Sequence, residues 1–250
     1  MTQRAPASGA PAYVIQGRAV TIPVEVRDAA SMSAVYSVSA TATQRLLPSP
    51  DLQVAQWLPG RAICVLAAIE YRDNDLGQYN EFSIAFFVVR GPRPPLPFFG
   101  CVAAALRGRL AVYIHRLPVT TSFSRDAGRD IWGFPKTVDE IAFRDEGAQR
   151  ECTLAADGTH VLTFALRRGG RRQMPERAQE VYAWRDGVLY RTPSVMGGTG
   201  VGIHLGGATL RLGTHPIADE LRSLGLPKRA LMSTWVEHMR ARFAAPQTAS

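Results

Sequence analysis

Of the 29 basic residues in this chain only two are lysines, Lys136 and Lys228, and they keep very different company. Lys136 ends the run Gly128-Arg129-Asp130-Ile131-Trp132-Gly133-Phe134-Pro135-Lys136. Arginine holds its proton at any pH a protein survives, so it binds anions but does not serve as a free amine. A desolvated lysine can lose its proton, and a free amine attacks carbonyl carbon to form a Schiff base. Trp132 and Phe134 would supply apolar surroundings, Pro135 fixes its own φ, and Gly133 allows a sharp turn. The bland alternative is that an arginine-biased composition simply leaves two lysines over. Lys228, beside Arg229 at the start of an expected helix, reads as a solvated charge.

Other chemistry-bearing patterns are missing. His115, His160, His204, His215 and His238 have no metal-ligand spacing, and neither H-E-x-x-H nor a P-loop occurs. Gly197-Gly198-Thr199-Gly200-Val201-Gly202 lacks the G-x-G-x-x-G spacing and reads as a flexible loop, and no serine sits in a G-x-S-x-G elbow. Cys64, Cys101 and Cys152 are odd in number and far apart, so they form no disulfide framework and fit a reducing cytoplasm.

The Lys136 run resembles the lysine-bearing segment of the acetoacetate decarboxylase family, with its Gly-Arg-acid start and aromatic-Pro-Lys ending. Gln44-Arg45-Leu46-Leu47-Pro48 is similar to the family's helix end near the N-terminus. Leu76-Gly77-Gln78-Tyr79-Asn80-Glu81 is similar to its glutamate-bearing segment, and the stretch from Ala208 to Pro246 to its Leu-x-Leu-Gly-x-His-Pro turn and two closing helices. The resemblance covers most of the chain from Tyr13 to Pro246. It implies that Lys136 forms an imine with a 3-keto acid, which becomes the electron sink for loss of CO₂, without metal or organic cofactor. It also implies that Glu81 moves protons or positions the intermediates, and that Arg18 holds the substrate carboxylate. Acetoacetate decarboxylase is itself the standing example of a lysine activated by desolvation or by a cationic neighbour. Thr137 stands where familiar members carry a second lysine, which leaves desolvation to activate Lys136. A second acidic position of the family falls near Leu66, and Glu70 on the same expected strand is a candidate to replace it. The same imine supports aldolase or dehydratase chemistry on keto acids, and a non-catalytic barrel binding a small carboxylate is the rival from another class.

The elements that must position these residues are mostly strands. Ala62 to Tyr71, Phe82 to Arg90, Leu110 to Leu117, Val138 to Phe143, Val161 to Leu166, Val188 to Arg191 and Ala208 to Leu212 read as short strands separated by turn residues. The expected fold is mainly β, an antiparallel barrel-like sheet with a few peripheral helices, forming a single domain over residues 1–250. Helices are expected over Thr41 to Leu47, from Pro216 to Gly225, and over Lys228 to Phe243. In the last, Leu231, Met232, Trp235, Val236, Met239 and Phe243 share a helical face, and Met232, Trp235 and Met239 suit a homo-oligomer contact. Residues 1–12 and 247–250 are expected to be disordered.

Bulk properties narrow the function. At 250 residues, 46% hydrophobic and 20% charged, the chain has globular composition. It has no apolar run long enough to cross a bilayer and no secretory leader at its start, so a cytoplasmic protein away from membranes is expected. The formal net charge of +8 comes from scattered arginines. Their densest cluster, Arg167-Arg168-Gly169-Gly170-Arg171-Arg172, reads as a solvated hairpin loop without the interleaved aromatics that stack on bases. The expected partner is a small keto acid rather than nucleic acid, drawn in by the positive field.

Overall fold

The computed structural model describes residues 13–248. Tyr13–Ile15 (β1) and Arg18–Val20 (β2) form a short hairpin, and Val24–Ser39 (β3) runs into the helix Ala40–Arg45 (α1). The Ser39 hydroxyl caps α1 by accepting from the Ala42 N–H at 3.2 Å. Leu52–Val54 (β4) and Gln56–Leu58 (β5) precede a long hairpin, Arg61–Asn74 (β6) and Tyr79–Arg90 (β7). Phe99–Leu106 (α2), Leu110–Val119 (β8), Ser122–Trp132 (α3) and Lys136–Val138 (β9) follow. Glu140–Glu146 (β10), Gln149–Ala156 (β11) and Thr159–Arg167 (β12) make a meander, and Arg172–Arg185 (β13) with Val188–Leu205 (β14) a second long hairpin. Ala208–Leu212 (β15), Pro216–Ser223 (α4), Met232–Phe243 (β16) and Gln247–Thr248 (β17) complete the described chain.

Seven strands close on themselves in the order β7, β6, β3, β16, β14, β13, β8, with β8 returning to β7. The ring is antiparallel except where β8 meets β13 in parallel, so the barrel is mixed rather than purely antiparallel. β9 adds in parallel to β8 and places Lys136 opposite Leu117. A separate antiparallel sheet, β10-β11-β12-β15, covers the outside of the barrel.

This layering puts apolar side chains on both faces of the covered strands. On β6, Cys64, Leu66 and Ala68 point outward into a core shared with Leu154, Leu162 and Phe164 of the covering sheet. Ile69 and Tyr71 belong to the inner core with Val26, Val181 and Met239. Strand period two makes both sets available from one segment. Among the described residues no helix is long and apolar enough to cross a membrane.

The structure departs from the sequence pattern at several places. Residues 232–243 form strand β16, not a helix, and the second closing helix is absent. Register shifts between Val236 and Met239 and between Met239 and Ala241 re-phase the strand. Trp235 therefore enters the outer core, while Val236, Met239 and Ala241 enter the inner one. Bulges of this kind turn a two-residue alternation into the three- and four-residue spacing of a helix. Trp235 and Met239 are spent inside the molecule and offer no subunit face. The glycine-rich segment 197–202 is strand rather than loop. A Cβ on Gly198 would stand 2.6 Å from Val236 Cγ1, so the bare backbone lets β14 and β16 approach. The arginine-rich segment 167–172 links β12 to β13, which lie in different sheets, so it is not a hairpin turn. Gln247 and Thr248, expected to be disordered, pair with Arg191 and Tyr190; residues 1–12 and 249–250 lie outside the described residues.

Candidate active site

Lys136 reaches the barrel interior through a tightly built turn. Helix α3 starts with the Thr121 hydroxyl accepting from Ser124 N–H and ends at Gly133, whose φ of 68° is the left-handed conformation that glycine adopts without strain. The Phe134 N–H then bonds back to Gly128 O at 3.0 Å, and Lys136 N–H to Phe134 O at 2.8 Å across Pro135. The lysine side chain lies flat against Gly128, where an added Cβ would meet its Cδ at 2.5 Å. Trp132 stacks on Phe134 with ring centroids 5.8 Å apart and donates its indole N–H to Ala244 O at 2.9 Å.

Inside, Lys136 Nζ lies 2.8 Å from Glu81 Oε2, and the two side chains are only 4% and 7% exposed. Glu81 comes from β7, whose other inward residues are Tyr79, Ser83, Ala85 and Phe87. The second carboxylate oxygen accepts from the Tyr71 hydroxyl at 3.1 Å. Tyr79 stacks on Tyr71 at 4.5 Å, with its hydroxyl 3.5 Å from Lys136 Nζ. Burial, and then the charge of Glu81, pushes both phenols well above the usual tyrosine range, so they stay protonated donors.

These groups face a cavity of about 300 Å³ inside the barrel. Its wall is mostly aliphatic and aromatic, including Val26, Val65, Ile69, Trp132, Phe134 and Met239, with Ser31, Ser33, Asn74, Ser83 and Gln179 as its uncharged polar side chains. Among the described residues, Lys136 and Glu81 are the only charged side chains lining it. A buried amine beside a carboxylate, in a cavity that admits a small molecule, can exchange a proton with that carboxylate and attack a carbonyl.

The structure thus brings Lys136 and Glu81 together and leaves Arg18 elsewhere. Arg18 is exposed on β2, with its guanidinium 4.1 Å from the Phe123 ring centroid on α3, and does not line the cavity. Leu66 is fully buried in the outer core, facing away from the cavity. Glu70 pairs with Arg72 at 3.1 Å and Arg150 at 3.0 Å and does not replace a second acid in the cavity. Thr137 is exposed and hydrogen-bonded to Asp139, so the position after the lysine faces outward. The sequence motifs do not single out Tyr71 or Tyr79. Their signal was parity: Tyr79 precedes Glu81 by two residues on one strand and therefore shares its face.

Among the described residues no group of three His, Cys, Asp or Glu side chains could hold a metal ion. The acetoacetate decarboxylase family profile matches residues 10–241. The chain belongs to the acetoacetate decarboxylase family. No curated protein is significantly similar in sequence. Among solved structures, the acetoacetate decarboxylase of Legionella pneumophila is 14% identical with a TM-score of 0.65, over 100% of this chain and 92% of that one. An acetoacetate decarboxylase-like enzyme of Sphingomonas wittichii is 16% identical with a TM-score of 0.60, over 97% of this chain and 100% of that one. The enduracididine biosynthesis enzyme MppR, solved with pyruvate, is 15% identical with a TM-score of 0.60, over 94% and 93%. At these identities the likeness concerns the fold.

Proposed function

We propose that this protein is a Schiff-base lysine enzyme that decarboxylates a 3-keto acid, with Lys136 as nucleophile and Glu81 as its proton partner. The observation that carries the reading is the 2.8 Å contact between a buried amine and a buried carboxylate in an apolar cavity. Glu81 takes the ammonium proton, and the free amine attacks the ketone carbon. Glu81 returns that proton to the departing hydroxyl, water leaves, and the cationic iminium faces the carboxylate that formed it. The bond between the carboxylate carbon and the α-carbon then breaks, and its electron pair moves to the iminium nitrogen, giving CO₂ and an enamine. The α-carbon takes a proton from solvent, and water hydrolyses the resulting iminium to the ketone and the Lys136 ammonium, which restores the starting pair with the Glu81 carboxylate. The net reaction consumes one keto-acid anion and one proton and yields one ketone and one CO₂.

The cavity wall supports the bond-breaking step. A substrate carboxylate in a cavity whose described lining holds no arginine is poorly compensated for its lost hydration, and departure as neutral CO₂ relieves that cost. Tyr71 holds Glu81 in place and leaves its other oxygen for the lysine.

A second reading uses the same enamine for aldol condensation or dehydration. It draws on MppR, which has also been solved with the condensation product of pyruvate and an imidazole aldehyde. Product analysis separates the two: acetoacetate and longer 3-keto acids should release CO₂ and ketone, whereas pyruvate plus an aldehyde giving a condensation product without CO₂ would favour the second. Borohydride reduction in the presence of a 3-keto acid should add covalent mass at Lys136, and Lys136→Arg should lose both the adduct and turnover while keeping the charge. A folded wild type that traps no keto acid at Lys136 would leave the non-catalytic carboxylate-binding reading in its place.

A further inference from the structure

The wall beside the lysine–glutamate pair is open because its side chains are small on three neighbouring strands. Ser33 of β3 stands opposite Ala67 of β6, and Ala67 opposite Ser83 of β7. All three line the cavity, and so does Ala85, the next inward residue after Ser83. Ser83 follows Glu81 by two residues on the same face, a distance of about 7 Å along an antiparallel strand. Past this row the wall is mostly apolar, with Val65 on β6, Phe87 on β7, Val112 and Ile114 on β8, and Val181 on β13, beside the single amide of Gln179. A volume of about 300 Å³ is large for acetoacetate, which carries a single methyl beyond its ketone and would leave the apolar wall uncovered. Among the described residues Lys136 is the only basic side chain lining the cavity, so a second anionic group would find no counter-charge along that wall.

We infer that the preferred substrate is a 3-keto acid bearing an unbranched apolar chain of medium length. The ketone sits at Lys136, and the chain runs over the Ser33–Ala67–Ser83 row toward Val65 and Ile114. This rests on the lysine reading above and adds the substrate class to it. Ala67 sets the chain length, because a larger residue there would fill the middle of the row.

The test is a series of unbranched 3-keto acids, from acetoacetate upward two carbons at a time, each assayed for turnover and for borohydride adduct at Lys136. In the wild type kcat/KM should rise about fourfold per added methylene, the ratio equivalent to roughly 0.8 kcal/mol for burying one CH₂, until the cavity is full. Ala67→Leu should lower the ratio of kcat/KM for long over short substrates by about tenfold or more, for at least two methylenes displaced. A flat or falling series in a wild type that still traps acetoacetate at Lys136 would overturn the chain-length inference and leave the lysine reading standing. An unchanged ratio in folded Ala67→Leu would overturn the role of the row. Should that variant not fold, the wild-type series decides alone. No adduct with any member would sink the lysine reading and this one with it.

Discussion

Gly128→Ala probes how Lys136 is held without touching a reacting group. Gly128 lies inside α3, where alanine is favoured over glycine by about 1 kcal/mol, so helix propensity supports the change. The new Cβ would stand 2.5 Å from Cδ and 2.7 Å from Cε of Lys136, whereas carbon atoms pack without strain at about 3.5–4.0 Å. The lysine must therefore shift by about 1 Å, and its 2.8 Å contact with Glu81 shifts with it. Overpacking of this kind costs about 1–3 kcal/mol, and the propensity gain offsets part of it. A net loss near 1 kcal/mol corresponds to about 2–4 °C in Tm for a chain of this size. Misplacing a reacting group by about 1 Å can cost about 10²-fold in rate. The expected result is a folded variant with a small Tm change and a rate of borohydride trapping reduced about 100-fold. Circular dichroism melts and single-turnover trapping with a 3-keto acid, read by mass, supply the two numbers. Trapping at the wild-type rate in a folded variant would refute the idea that Gly128 sets the position of the amine.

Three further outcomes follow from the same geometry. Glu81→Gln keeps the shape but removes the proton acceptor, and turnover should fall by about 10²–10⁴; a variant with wild-type turnover would reduce Glu81 to a structural role. Tyr71→Phe deletes the donor to Glu81 Oε1, a charge-assisted bond of about 1.5–3 kcal/mol, and should lower kcat/KM about tenfold while Tm changes by a few degrees; equal loss in Glu81→Gln and in the double variant would show that the two act as a unit. Glu220 on α4 accepts from Arg116 at 2.9 and 2.8 Å and lies 2.8 Å from His115 on β8. Burial pushes its carboxyl up, but those hydrogen bonds and charges outweigh burial and hold it at about 2 instead of the usual 4.5. Because the folded value is the lower one, the contribution of this group is complete above about pH 4.5 and is lost as pH falls toward about 2. Glu220→Gln should lower Tm at neutral pH and flatten its dependence on pH across that window, and a wild-type slope in the variant would refute the assignment.

The two charged residues of the cavity were legible as candidates in local sequence because each sits in a short segment whose types point to chemistry. Lys136 stands out in a chain that otherwise uses arginine, and Glu81 lies in a six-residue segment similar to the family's. Which residues of β6 share a face was also legible, since strand parity is a property of the backbone alone; which face turns inward was not, because Leu66, expected at the site, lies in the outer core. Glu70 shares the face of Leu66 and Ala68, and the structure turns that face outward and pairs Glu70 with Arg72 and Arg150.

Tertiary structure decided everything that depends on which segment lies beside which. The meeting of Lys136 and Glu81 follows from β9 pairing with β8 and β8 pairing with β7, and no local pattern encodes those partners. The identity of residues 232–243 was settled in the same way. Taken alone, their apolar spacing favours a helix; flanked by β3 and β14, with bulges at Val236 and Met239, they complete the barrel as a strand. The location of Arg18 was decided by the β1–β2 hairpin, which sets the guanidinium on Phe123 outside the cavity. Side-chain type and period are properties of a short stretch of chain, so sequence alone determined which groups have the chemistry to react and which residues of β6 and β7 share a face. Neighbour, register and enclosure are set by the free energy of the whole packed molecule, which alone determined that a lysine and a glutamate share one apolar cavity.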